Sequence, residues 1–294
     1  MPQSFRIPRF GVFLLLIVVF GWGLSWAVIK YALEQMPPLL LRGVAGTLGG
    51  ALMLLLVRLQ GGRLVVVRAL WGQLAWLTAF NMIGWNVLST YGVMYLPSGR
   101  AALLAYTMPL WCVPLSVWLL RERLNARRVL AVALGVAGVA VLMGPAAAAL
   151  GNAPLGVLLM VLAALSWAWG IVLLKLWSPP LPALVLTGWT LLLGALPMLA
   201  ASLVVDGLPT AWPGPGAMAA VAFNALVTFM LCYWAWNRLV MLVPVAVSSL
   251  SSLVTPLIGV LSGAVFLGEQ PGWAEATAAL LILGAVGVIN LRRR

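Results

Sequence analysis

Side chains able to make or break bonds are scarce in this sequence. It has no histidine, two cysteines and five carboxylates in 294 residues. Without imidazole there is no histidine-ligated haem, no Ser/His/Asp triad and no His-based metal site. Cys112 and Cys232 stand alone inside apolar runs and form no CxxC pair, so neither a zinc ribbon nor a disulfide framework is available. The acids Glu34, Glu122, Asp206, Glu269 and Glu275 are scattered in or beside predicted connections. This is not the inventory of an enzyme, and it calls for no metal and no cofactor. What remains is reversible binding by amides, hydroxyls and aromatic rings.

Several such groups fall deep inside apolar runs. Asn81 and Asn224 lie near the centres of runs 70–91 and 216–237, where an amide turned toward lipid costs several kcal/mol, so both are expected to face inward. There they either offer a carbonyl and an amide to a zwitterionic ligand or bond a neighbouring helix. Trp22 and Trp26 are one helical turn apart in run 10–32, with Ser25 between them, and Trp167 and Tyr106 are equally deep in theirs. Trp22, Trp167 and Tyr106 read either as aromatic cavity walls or as helix packing. Trp71, Trp177, Trp212 and Trp273 sit at run ends, the place of interfacial anchors. Ser248, Ser249, Ser251 and Ser252 form a hydroxyl cluster suited to substrate or to close packing. Pro109 and Pro256 interrupt their runs near the middle, freeing the carbonyls of Ala105 and Ser252. They serve as hinges lining a cavity or as static kinks. Lys30 and Lys175, the only lysines, stand toward run ends as snorkelling anchors or as gates.

The elements that position these residues follow from composition. At 64% hydrophobic and 7% charged, the chain is far from the quarter-charged balance of soluble domains. With about 20 residues per span, ten spans leave about 94 residues for two tails and nine connections, which excludes a soluble domain. The expected spans are 10–32, 37–57, 70–91, 98–120, 127–144, 154–176, 182–204, 216–237, 244–266 and 272–291. The first is too long for a cleaved signal and lacks a small-residue cleavage site. The net charge of +12 sits at run ends and marks orientation rather than nucleic acid. Ten spans put both termini on one side; taking it as cytoplasmic gathers 14 of the 17 basic residues there and leaves Lys30, Arg42 and Arg100 near the other face.

The runs also repeat. Pro97, Thr107-Met108-Pro109-Leu110 and Glu122 recur as Pro244, Thr255-Pro256-Leu257 and Glu269, with the prolines and acids offset by 147. Leu134-Gly135-x-x-Gly138-Val139 recurs at Leu283-Gly284-x-x-Gly287-Val288, Ala79-Phe80-Asn81 at Ala222-Phe223-Asn224, and Trp22 and Lys30 at Trp167 and Lys175. The order is kept throughout, which makes 1–148 and 149–294 two homologous halves of five spans. An odd number of spans inserts the second half upside down. The fold class is therefore all-α integral membrane, ten transmembrane helices in two inverted five-helix repeats, an architecture in which two halves exchange conformations around a central site.

The pattern of Pro97, Pro109-Leu110, Leu120, Glu122 and the Gly135/Gly138 span, with its second copy ending in Leu267-Gly268-Glu269, resembles the EamA repeat of the drug/metabolite transporter superfamily over about residues 11–291. The tryptophan content and the Tyr106-x-x-Pro109 and Ser166-Trp167-Ala168 segments are similar to YddG-type amino-acid exporters. The resemblance implies a monomeric, multi-pass protein of a bacterial inner membrane that exports amino acids, aromatic and apolar ones included, by alternating access. It also implies a central cavity on spans one, three, four, six, eight and nine. A drug or other small-metabolite carrier of the same superfamily, and a non-transporting membrane scaffold, are the alternatives. The first half carries Leu120-Arg121-Glu122 in place of Leu-Gly-Glu, which points to a turn kept for structure. No buried acid or histidine is available to relay protons, so facilitated diffusion is the expected coupling. Reporter fusions at Met1, within 58–68, within 121–128 and at Arg294 should all report the cytoplasm, and a fusion within 145–153 the opposite side. A cytoplasmic 145–153 fusion would abolish the inverted repeat.

Overall fold

A computed structural model describes residues 9–122, 124–148, 153–206, 212–242 and 245–290, which are helical or in short connections and contain no strand. The helices are α1 (Arg9–Ala32), α2 (Pro38–Leu59), α3 (Trp71–Leu77), α4 (Trp85–Tyr95), α5 (Ser98–Ala105), α6 (Met108–Leu119) and α7 (Ala126–Ala148). They continue with α8 (Ala153–Trp177), α9 (Ala183–Val205), α10 (Pro215–Phe223), α11 (Cys232–Leu242), α12 (Val245–Leu267) and α13 (Trp273–Asn290). Among the described residues, seven helical stretches are long and apolar enough to cross a bilayer, and two shorter apolar helices follow in α12 and α13. Their outward faces are apolar as well: Phe13, Phe20, Trp118, Val265 and Leu280 are exposed, which suits lipid rather than water.

Two interruptions were not foreseen. Between α3 and α4 the segment Thr78–Gly84, and between α10 and α11 the segment Asn224–Leu231, wind as π-helix. A π segment widens the turn and leaves carbonyls outside the regular ladder. Side chains from the neighbouring helices take up one in each: Ser166 Oγ donates to Phe80 O at 2.8 Å, and Trp22 Nε1 to Thr228 O at 3.1 Å. The rod 98–119 also breaks. α5 stops at Ala105, a turn at Tyr106-Thr107 follows, and Pro109 lies in the first turn of α6. Pro256, by contrast, sits inside the continuous helix α12. The expected pair of matching kinks is thus one break and one uninterrupted helix.

The helices pack in corresponding pairs. α2 lies against α9, α7 against α13 and α5 against α12; α1 packs on α12 as α8 packs on α6, and α2 meets the second π segment as α9 meets the first. The turns after α6 and α12 also match. Glu122 N–H donates to Ser116 O at 3.2 Å and Glu269 N–H to Gly263 O at 3.1 Å. Gly268 takes φ +67° and Arg121 φ +54°, so the arginine accepts a left-handed backbone that costs a side-chain-bearing residue about 1–2 kcal/mol.

Glycine makes the α2–α9 approach close. A Cβ on Gly43 would lie 2.7 Å from the backbone of Leu199, which cannot yield without moving a helix. Gly43→Leu should therefore lower the thermal unfolding midpoint of the detergent-purified protein, at a cost of about 1–3 kcal/mol. Gly72→Leu, on α3 where a Cβ meets nothing within 4 Å, should leave the midpoint in place.

Candidate functional site

A cavity of about 650 Å³ opens between the helices, and its lining runs from Trp22, Tyr106 and Trp167 to Glu122 and Arg128. A second, of about 80 Å³, lies on the far side of the same aromatic residues and is lined by Ser25, Trp26, Arg42, Trp85, Asn86 and Thr228 among others. Trp22, Tyr106, Met108, Trp167 and Tyr233 belong to both. The rings interlock: Trp85 and Trp167 have centroids 5.0 Å apart, Trp22 and Tyr233 5.7 Å, and Trp26 stands edge-on to Trp85 at 6.4 Å. Such walls present apolar area, ring faces and a few N–H and O–H groups.

Of the residues singled out from sequence, most converge here. Trp22, Tyr106 and Trp167 line both cavities, Asn81 and Pro109 the larger one and Ser25 the smaller. Ser25 Oγ is already committed to Trp22 O at 2.7 Å. The Asn81 amide lies over Gly170, where a Cβ would collide with it, and its buried Oδ1 has no partner among the described residues. Asn224 does not reach either cavity. It is fully buried behind the wall, with Nδ2 donating to Ala220 O at 2.9 Å and Oδ1 accepting from Arg42 Nη1 at 3.3 Å, so its amide is already used by the protein. Pro256 lines neither of these two cavities, and the side chain of Ser251 lies outside the described residues. Ser248, Ser249 and Ser252 share that position.

Arg42 is the main departure. Counted from sequence as near one face, it is 4% exposed and forms part of the interior. Its Nε donates to Thr90 Oγ1 at 2.7 Å and its guanidinium lies 5.8 Å from the Phe229 ring centroid. None of the described ion pairs includes it. The available signal was its place five residues into the apolar stretch Pro38-Leu39-Leu40-Leu41-Arg42. Trp85, Asn86, Thr228 and Tyr233 were also missed, and none has a like residue at the matching place in the sequence repeat.

The two ends of the bundle differ. At the end away from the larger cavity, Glu269 ties the turn after α12 to the start of α5: Ser98 N–H donates to Oε1 at 2.6 Å, and Ser98 Oγ and Gly99 N–H to Oε2 at 3.0 and 3.1 Å. That carboxylate caps the N-terminus of α5, where free N–H groups and the helix dipole favour an anion. Arg100 pairs with Glu275, and Lys30 Nζ donates to Val93 O and Met94 O at 2.8 and 3.0 Å. At the other end Lys175 Nζ bonds Glu122 at 2.6 Å and Arg128 bonds it at 2.8 Å. The bonded Lys175 ammonium holds the Glu122 carboxyl below the usual carboxylate range, and Arg128 acts the same way against partial burial. Glu122 therefore stays charged near neutral pH. The turn that carries it also contributes Glu122 to the lining of the larger cavity.

The model of the EamA-like transporter family matches residues 9–144 and again 154–291. A protein of Salmonella typhimurium named a probable amino-acid metabolite efflux pump is 29% identical, with 96% of each chain covered. The uncharacterized inner membrane transporter YedA of Escherichia coli is 27% identical over 97% of this chain and 91% of its own. A crystal structure at 24% identity superposes with a TM-score of 0.68 over 95% of both chains, a likeness of fold.

Cysteine chemistry tests where the cavity opens. Cys112 lines the larger cavity, whereas Cys232 is fully buried with Sγ against Ile17 O. A small charged methanethiosulfonate should label Cys112 and spare Cys232, and Cys112→Ser should abolish labelling. Label on Cys232 alone would contradict the cavity's course.

Proposed function

The chain belongs to the EamA-like transporter family, and on that premise we propose that it exports amino acids, aromatic and other apolar ones included, from the cytoplasm by alternating access. The carrying observation is an aromatic-walled cavity that reaches one end of the bundle while the other end is tied across by Glu269, Arg100 and Lys30. A scaffold has no use for such a cavity. Ten spans in two inverted halves, 1–148 and 149–294, agree with the corresponding helix pairs and the matched turns at Glu122 and Glu269. The distribution of arginines favours both termini in the cytoplasm of a bacterial inner membrane. On this orientation the conformer is open inward.

Transport then consists of exchanging the two end arrangements. Glu269 releases the N-terminus of α5, and Glu122 leaves Lys175 to cap the N-terminus of α12 on the opposite face. Pro109 marks the hinge beside the ligand, and Lys30 and Lys175 act at the two gates. Pro256 is the matching hinge, straight in this state. Asn81, Trp22, Ser25, Tyr106 and Trp167 contact the substrate, and Asn224 acts through Arg42. All five acids lie at helix ends or in connections, with no proton relay through the centre, so the substrate's own gradient drives flux. One monomer suffices, since both gates and the cavity lie within it.

Purified protein in liposomes provides the test. A phenylalanine or leucine gradient should drive flux, and an imposed pH gradient with equal substrate on both sides should drive none. Trp167→Ala and Tyr106→Ala should reduce phenylalanine flux several-fold more than alanine flux, because they remove ring contact worth about 0.5–1.5 kcal/mol. Absence of flux for any amino acid, with flux of another metabolite class, would replace amino acids by that class.

A further inference from the structure

We propose that Arg42 is the subsite for the substrate's carboxylate, set at the closed end of the cavity system; the assignment rests on the transport reading above. The side chain is 4% exposed, and a guanidinium in a low-dielectric interior is costly unless an anion meets it. All five acids of the chain are among the described residues, and none pairs with it. Of its five N–H donors, Nε bonds the neutral Thr90 hydroxyl and Nη1 makes a long contact with the neutral Asn224 amide. The remaining donors have no acceptor among the described residues. Thr90 and Asn224 act as positioning residues, holding the planar fork against the smaller cavity while leaving its formal charge unmatched.

The counterion is therefore a ligand group, and the cavity shape limits what it is. The smaller cavity, about 80 Å³, admits a compact head, and it adjoins the larger cavity along the rings of Trp22, Tyr106, Trp167 and Tyr233 that line both. A monocarboxylate seats in the fork by two parallel N–H···O bonds, with its apolar body against Trp22, Trp167 and Tyr233. The same cavity is lined by two residues whose buried oxygens, Asn86 Oδ1 and Thr228 Oγ1, have no partner among the described residues. These accept from an ammonium, but they are neutral. Recognition of a zwitterion is consequently uneven: the carboxylate meets a full charge and the ammonium meets dipoles. The amine is then the dispensable pole.

Four probes separate these contributions in the detergent-purified protein, read by quenching of the cavity tryptophans: L-phenylalanine, 3-phenylpropionate, L-phenylalaninamide and phenethylamine. L-Phenylalanine and 3-phenylpropionate should bind within about tenfold of each other. L-Phenylalaninamide and phenethylamine should bind on the order of 10- to 100-fold more weakly, the loss expected for a charge-assisted pair. Arg42→Gln should remove that difference and Arg42→Lys should keep part of it. The wild-type ranking holds the test even if Arg42→Gln fails to fold. Equal wild-type binding of phenethylamine and 3-phenylpropionate, or an Arg42→Gln protein that still prefers carboxylates, overturns the subsite. Either result together with amino-acid flux in liposomes leaves transport standing; no flux of any solute removes both.

Discussion

Every polar group of the backbone in an apolar surrounding has to find a partner within the protein. A regular helix meets this demand along its length and so offers a ligand nothing but side chains. Where the ladder is interrupted, partners must be brought from elsewhere, and in this chain they come from specific neighbours. Ser166 serves Phe80 and Trp22 serves Thr228 at the two π segments, Lys30 serves the last carbonyls of α4, and Glu269 serves the first N–H groups of α5. The interruptions surround one region. The cavity therefore lies where the helices are least regular, and the helices that carry it are tied to one another by the bonds that repair them.

Charge is divided between the ends and the centre. Carboxylates, the two lysines and the part-buried Arg100 and Arg128 form the end arrangements, in which each cation meets a carboxylate or backbone carbonyls. Among the described residues, the interior holds one fully buried guanidinium, Arg42, among rings and neutral oxygens, where the same charge acts with far less screening. One cation in such a place would discriminate among ligands by charge, whereas a balanced pair would serve the protein alone.

The broad architecture was legible because it depends on bulk quantities. Apolar runs follow from solvation and survive an error of a few residues, whereas of the repeated glycines Gly135 and Gly138 meet close neighbours and Gly284 and Gly287 meet nothing within 4 Å. The candidate site was legible through two signals: Trp22, Trp167, Asn81 and the Glu122 and Glu269 turns stood out by matching across the sequence repeat, and Tyr106 and Ser25 by their depth in apolar runs. Trp85, Asn86, Thr228 and Tyr233 had no such match, since an asymmetric ligand does not require a symmetric pocket. Arg42 was misplaced because a count of positive charges assigns any residue near a run end to the surface, and five residues of helix already bury a side chain. The π segments and the break at Tyr106 leave no mark in apolar periodicity. Their sequences are as hydrophobic as regular helix, and what distinguishes them is a partner from another segment. Pro256 shows the same limit, because a proline removes one bond but the neighbouring helices decide whether the rod breaks.

The separation of α5 from α6 has a mechanical meaning. Eight residues make a lever about 12 Å long, pivoted at the Tyr106-Thr107 turn and fastened at its tip to Glu269. A tilt of roughly 10° about that pivot swings the tip through about 2 Å, enough to part bonds of 2.6 to 3.1 Å. Tyr106 is both the fulcrum and a wall of the two cavities. A body resting on its ring would bear on the lever at the point of least travel, and a small displacement there would be magnified into release of the fastening at the far end.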